Sequence, residues 1–348
     1  MFHKALWMRN WKQGKYVIIL FWLSTLYLLP YQYYRDALYR AKYLRETTDT
    51  YYSYHLSGEN PIFFPALLLI GLAVILIGWE RHNQTNDFLW SMPFKRSHLF
   101  LSKWLFGTIH IVSTLSINWI LMYIVYNTTI HAEYQSFTLF HLYFVYTIIT
   151  LIAVYTLALF IGTITGNIIS QGALSYIMVV FPLYIFQLAF PLFALHVELS
   201  QIEYNNVYNK SSAYTENTSA VAPLVHFTID YAYDPNRENI QAGPAYHHIP
   251  SAWTLLSPAI YILICLPLGA YLYARSPNEQ NGKILLYQKL HIYFSICTSI
   301  CFGLLGSEVF TDGSKSIPLH YMYFIGFGIL TYAILQWVLK HKLSLYAK

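Results

Sequence analysis

The chain has 348 residues, 56% apolar and 18% aromatic but only 11% charged, and carries a net charge of +5. Water-soluble domains carry about a quarter charged residues, so this composition argues against one. The small positive surplus is dispersed over short segments, which excludes a nucleic-acid surface. Cys265, Cys297 and Cys301 all fall in apolar stretches, which excludes a disulfide framework and leaves them as small buried hydrophobes.

Eight stretches contain no Asp, Glu, Lys or Arg: residues 16–34, 61–79, 105–126, 140–165, 172–195, 254–274, 291–307 and 319–339. A bilayer core about 30 Å thick takes about 20 helical residues to cross, and in lipid the backbone amides have to be satisfied within the segment. The expected fold is therefore an all-α polytopic membrane protein with about eight transmembrane helices. Two stretches are irregular, the first because Pro30 interrupts it and the seventh because it is short. Residues 1–29 mimic a signal peptide, but no small-x-small cleavage site follows, so an uncleaved first helix is expected.

The connectors fix the expected orientation. Alternating from the N-terminus, one side collects 14 Lys/Arg against three acids, and the other 7 against 13 acids. The excess of basic residues places the first side, with both termini, in the cytosol. Tyr31, Tyr33, Tyr34, Trp79, Trp104, Tyr126, Tyr271, Tyr273 and Trp337 cluster near segment ends, as in an interfacial aromatic belt.

Residues 80–104 form the most readable cytosolic connector. Thr85 or Asn86 can cap a short helix. Phe88, Leu89 and Met92 give that helix an apolar face, and Pro93 ends it because proline has no amide proton and clashes with the preceding turn. Lys95 and Arg96 follow, and Ser97 can cap the next helix. Such an element can be pushed by a cytosolic partner, or it can rest on lipid headgroups. In the third stretch His110, Thr114 and Asn118 recur at helical spacing beside Ser113 and Ser116. This polar stripe reads either as the lining of a translocation path or as interhelical hydrogen bonding. Gly162-x-x-x-Gly166 ends the fourth stretch and permits close helix approach.

Residues 196–253 form the longest outer connector, acidic and rich in Asn, Ser, Thr and Tyr, and too long for a simple turn. It is functional, partly helical or disordered, and a lid over an outward-opening cavity is one reading of it. His226, Asp230, Asp234, His247 and His248 match no ligand spacing, so no metal is expected. No G-x-x-x-x-G-K-[ST] or H-E-x-x-H occurs, so neither nucleotide binding nor zinc proteolysis is expected of this chain, and no cofactor. The apolar stretches hold no ionised residue, which argues against an autonomous ion-driven carrier.

The run from Glu80 to Gly107, ERHNQTNDFLWSMPFKRSHLFLSKWLFG, resembles the elbow of ABC-2-type transporter permeases. The stretch around Arg275, Glu279 and Gly282 resembles that family's second cytosolic loop, and residues 1–12 its basic helix before helix one. The subgroup that the chain resembles is the Ytr-type permeases of Firmicutes, associated with acetoin utilisation and cell-envelope stress. The resemblance implies that residues 1–348 form one transmembrane domain of this kind, without enzymatic activity. It implies cytosolic ATP-binding subunits and a second permease as partners. Asn86, Phe88, Leu89 and Met92 would form a coupling helix on the ATPase, framed by Glu80, Arg81, Lys95, Arg96 and Lys103. The simplest members have six transmembrane helices, so eight is a departure. Two rival readings stand beside transport: a sensor or immunity subunit of such a complex, and a membrane enzyme using the outer loop. His110 and Asn118 are the candidates for the path.

Overall fold

In the computed structural model the described residues are 3–46, 51–58, 60–83, 94–197, 200–233, 244–276, 282–311 and 316–340. Eight helices among them are long and apolar enough to cross a membrane. They are α1 (Lys4–Glu46), α2 (Asn60–His82), α3 (Arg96–Thr128), α4 (Thr138–Ile164), α5 (Ile168–Val197), α7 (Leu256–Ala274), α8 (Gln288–Thr311) and α9 (Ile317–Lys340). A ninth, polar helix, α6 (Gln201–Glu216), follows α5. The protein is a helical, multi-pass membrane protein.

Successive connectors gather at two opposite ends. At one, Arg96 donates to the carbonyl of Ala274, and Gly282 N–H to that of Gly166 at 2.8 Å. At the other, the Tyr33 hydroxyl donates to Gln135, and those of Tyr231 and Tyr146 to the carbonyls of Ser136 and Pro250. The first is the Lys/Arg-rich set of connectors and is termed the basic end, and the second the distal end.

Two helices differ from the expected segments. Pro30 does not interrupt the first. The helix widens into a π turn over Tyr27–Tyr31, absorbing the missing amide and the ring, and continues to Glu46. At 1.5 Å per residue its 43 residues run to about 65 Å, roughly twice the hydrocarbon thickness. The charged segment Gln32–Glu46 is thus a helical extension at the distal end rather than a loop. The seventh helix, 24 residues long, is also full length, because the polar Gln288–Leu290 and Glu308–Thr311 prolong it beyond the apolar run.

The helix α4 is apolar on all sides and sits at the centre, packed by α2, α3, α5 and α7. Around it α1, α2 and α3 also contact one another, while α8 and α9 pack chiefly on each other and otherwise on α5. The arrangement is a core of six helices, α1–α5 and α7, with a peripheral α8–α9 hairpin.

The distal end is not purely helical. The outer segments supply β1 (Tyr52–Ser57), β2 (Thr228–Tyr233) and β3 (Pro244–His248), an antiparallel sheet in that order. Tyr52, Tyr54 and Leu56 alternate inward along β1, as do Ile229 and Tyr231 along β2. The described part of residues 196–253 is partly helical, with α6, and it contributes two strands of the sheet.

Beneath the sheet lies a hydrogen-bonded core. The ring of His131 stacks on Tyr33 with centroids 4.1 Å apart, and its Nε2 meets the Tyr33 carbonyl at 3.0 Å. A carbonyl only accepts, so Nε2 carries the proton and Nδ1 accepts from the Tyr52 hydroxyl at 2.6 Å. Gln135 closes the circuit, donating to the Tyr52 oxygen and accepting from the Tyr33 hydroxyl at 2.7 Å. This network needs a neutral imidazole. Burial pushes the His131 ring down to about 4 from 6.5, the Arg40 charge adding to the fall and the Tyr33 carbonyl opposing it. The unfolded chain binds this proton at higher pH than the folded one. The stabilisation is therefore complete above about pH 6.5 and is lost as pH falls toward 4, by up to about 3 kcal/mol. Thermal unfolding in detergent is expected to drop across that window, and His131→Asn should flatten this part of the pH dependence.

Candidate functional site

At the basic end the chain buries a carboxylate between two cations from different helices. Glu80, on the last turn of α2, is wholly buried. Its Oε1 meets Arg9 Nη2 of α1 at 2.6 Å, and its Oε2 pairs with Lys103 Nζ of α3. The Lys103 ammonium, itself 1% exposed, also donates to the carbonyl of Leu76. A second π turn, Val74–Gly78, explains why that carbonyl is in reach. There Trp79 N–H bonds back five residues to Val74, so the regular four-residue ladder is locally suspended. Lys103 is held from its backbone as well, its own carbonyl accepting from the Tyr155 hydroxyl of α4 at 2.8 Å.

The next residue, Arg81, extends the joint in the opposite direction. Its guanidinium is fully buried, donating to the carbonyls of Thr165 and Thr163 at the end of α4 and to the Ser276 hydroxyl after α7 at 3.0 Å. Those two chain ends are tied to each other. Residues 164–166 and 282–286 are cross-linked by backbone bonds, Leu286 N–H to the Ile164 carbonyl at 2.9 Å and Gly282 N–H to that of Gly166. Gly282 turns the chain with φ +89°, a conformation that a side chain would strain. Beside it, Gln171 of α5 bridges the Ala73 and Ala158 carbonyls of α2 and α4. It fits because Gly162 has no side chain, since a Cβ there would lie 2.9 Å from Gln171 Cδ.

The segment that re-enters the bundle is fastened too. Phe94 lies against the His3 ring at 4.9 Å, and Arg96 donates to the carbonyl ending α7. Residues 84–93, with Asn86, Phe88, Leu89 and Met92, lie outside the described residues, as does Glu279. Their flanks are thus anchored on α1, α3, α4 and α7. Lys95 is exposed, and Arg275 is exposed over the ring of Tyr271 at 4.4 Å. Glu80, Arg81 and Lys103 face inward and are spent on contacts within the chain.

The polar stripe of α3 divides. His110 sits half-buried in a ring of Trp7, Trp11, Trp22 and Phe106, with centroids between 5.0 and 6.4 Å away. Asn118 is fully buried, and neither its amide nitrogen nor its oxygen bonds to a described residue. Thr114 bonds back to the His110 carbonyl. At the distal end Asp230 pairs with His55, its partner across the sheet, and Asp234 lies outside the described residues. Among the described residues no three His, Cys, Asp or Glu gather as metal ligands.

Arg9, Tyr155, Gln171, Thr165 and Ser276 were not singled out from sequence. One signal pointed to the first. Glu80 borders an apolar run on a side holding 14 bases, and a buried carboxylate there needs cations from more than one helix.

Removing one member of a buried ion pair leaves the other uncompensated, at a cost of about 3–5 kcal/mol. Glu80→Gln is expected to lower the melting temperature of the purified chain sharply, and Glu80→Gln/Lys103→Met to recover part of the loss, read by thermal unfolding in detergent. Asn118→Leu should behave oppositely, raising or preserving the midpoint, because a buried amide without partners costs about 1–3 kcal/mol.

At this end of the bundle the described residues join α1, α2, α3, α4 and the end of α7 through buried charged contacts. The model of the ABC-2 family transporter protein matches residues 6–182, which span α1 to the middle of α5. The chain is 25% identical over 331 residues to the probable ABC transporter permease YtrC of Bacillus subtilis, covering 89% of each. It is 24% identical over 281 residues to the probable permease YtrD of the same organism, covering 79% of this chain and 77% of that one. No solved structure matches. The chain belongs to the ABC-2 family of transporter proteins.

Proposed function

We propose that the chain is the membrane-spanning permease subunit of an ATP-binding cassette transporter, moving a substrate across the cell membrane with ATP hydrolysed by partner subunits. The observation that carries this reading is the anchoring of both flanks of residues 84–93. The Glu80–Arg81 side is held by Arg9, Lys103, Thr165 and Ser276, and the Phe94–Arg96 side by His3 and Ala274. A push on that segment reaches four helices of the core through charged, buried contacts rather than through a slack loop.

In this reading the basic end faces the cytosol. Asn86, Phe88, Leu89 and Met92 dock on the ATP-binding subunit, with Lys95 and Arg96 steering the approach, since rim charges set orientation more than affinity. Glu80 and Arg81 receive the motion inside the bundle. Arg275, Glu279 and Gly282 form the second cytosolic contact. A second permease completes the pore, and His110 and Asn118 mark the path on α3. ATP shifts the bundle only so far as the ATPase binds its two states with different affinity. Acetoin, suggested by the subgroup resemblance, is one candidate cargo.

The test is a gentle-detergent purification of the chain from its native membrane, with Phe88→Asp/Leu89→Asp in parallel. An ATP-binding subunit is expected to co-purify with the wild type and to be lost from the variant. Its absence from the wild type in several detergents sinks the proposal. Ligand-stimulated ATP hydrolysis in vesicles without accumulation or efflux would assign sensing instead of transport.

A further inference from the structure

A cavity of about 670 Å³ lies at the distal end between the charged extension of α1 and strand β1. Its size is that of a small-molecule site. It is not lined by His110 or Asn118, and α3 reaches it only through Met122. Its walls differ in chemistry. Leu28, Leu29, Pro61 and Met122 make the side toward the membrane, whereas Arg35, Asp36 and Arg40 make the other. The change falls where the apolar run of α1 gives way to charge, which is where an amphiphile changes character.

Three features make this a formed site. Leu28 and Leu29 belong to the π turn around Pro30, a helix distortion that recurs at functional sites. Tyr33 and Tyr54, also in the lining, are fixed by the network around His131, so that wall is pre-organised. The charged wall is unsaturated. Arg40 Nε and Asp36 Oδ2 are shielded from solvent without a hydrogen bond to a described residue, and the ion pair between the two side chains is long, at 3.9 Å. His55 also lines the cavity but is engaged by Asp230, so among the described lining residues two guanidinium groups face a single available carboxylate.

We infer that this cavity binds an amphiphile with an anionic phosphate headgroup, the phosphate held by Arg35 and Arg40 and the apolar part by Leu28, Leu29, Pro61 and Met122. Guanidinium suits phosphate oxygens geometrically and electrostatically. Asp36 orients Arg40 and limits the affinity by repulsion. Binding here stands independently of the ATPase-coupling reading, because it requires no partner subunit.

The test is native mass spectrometry of the purified full chain in neutral detergent, titrated with phosphatidylglycerol, with dioleoylglycerol, which lacks phosphate, and with glycerol 3-phosphate, which lacks chains. Phosphatidylglycerol is expected to bind, and both partial probes to bind about tenfold or more weakly. Arg35→Gln/Arg40→Gln should lose about as much affinity for phosphatidylglycerol. Asp36→Asn should retain or tighten it, which guards against reading misfolding as lost contact. Equal binding of dioleoylglycerol, unchanged binding by the double arginine variant, or loss in Asp36→Asn overturns the inference. Glycerol 3-phosphate binding as tightly as the lipid overturns the amphiphile and leaves a site for free phosphate.

Discussion

A carboxylate moved out of water into a helix bundle has to be met by charge, and the basic end of this protein is organised around that requirement. Glu80 carries no exposed surface, and each of its oxygens takes one cation, Arg9 from α1 and Lys103 from α3. Removing the carboxylate would leave two cations facing each other without a counter-charge. The π turn of α2 belongs to the same solution, since it opens the Leu76 carbonyl to the Lys103 ammonium. Arg81 then solves the converse problem with neutral acceptors, drawing on the carbonyls that end α4. Five helix ends are thereby held by two adjacent residues and their partners.

Buried ion pairs contribute little net stability compared with well-packed apolar groups, but they are intolerant of separation. That property suits a joint more than a core. Apolar contacts slide with small changes in energy, whereas Glu80 either holds Arg9 and Lys103 or exposes three charges. The rest of the bundle is packed by the other logic. Around α4 the contacts are aliphatic and aromatic, with Gln171 as a neutral bridge admitted by Gly162. The α8–α9 hairpin stays outside this core, packed chiefly on itself and otherwise on α5.

Most of the fold was legible because lipid leaves so little choice. Charge-free runs near twenty residues long had to be helices, and eight such helices are present among the described residues. What was not legible follows from looking with a helical period only. Tyr52-Ser-Tyr-His-Leu-Ser57 alternates strictly, and the alternation is that of a strand with one buried face. Its partner, Thr228–Tyr233, lies far along the chain, and pairing between such distant segments leaves no local trace. The π turns were unreadable for a related reason. Pro30 signals a disturbance, but whether the helix ends or widens is settled by the tertiary packing of Leu29 and Tyr33. At the site, the residue types in the elbow pointed to Glu80 and Arg81 as important. They did not distinguish an outward-facing charge from a buried one, because that depends on Arg9, 71 positions away.

The two ends share members. The helix α1 carries Arg9 at the basic end and Leu28–Arg40 along the distal cavity, and α2 carries Glu80 at one end and Pro61 at the other. Each has one π turn, and the turns are not at the same depth. That of α1 borders the cavity, and that of α2 borders the buried carboxylate. An uninterrupted α-helix transmits displacement along its axis almost rigidly, while a π turn is a place where register can be absorbed. Between the two turns lie the regular stretches of α1 and α2, packed on each other and on α3 and α4. A displacement that parts Glu80 from Arg9 therefore has few ways to dissipate within the regular segments. It can be taken up in the π turn beside Glu80, or it arrives at the one beside the cavity. In the proposed permease, the placement of these two distortions would set how far an event at one end of the bundle is felt at the other.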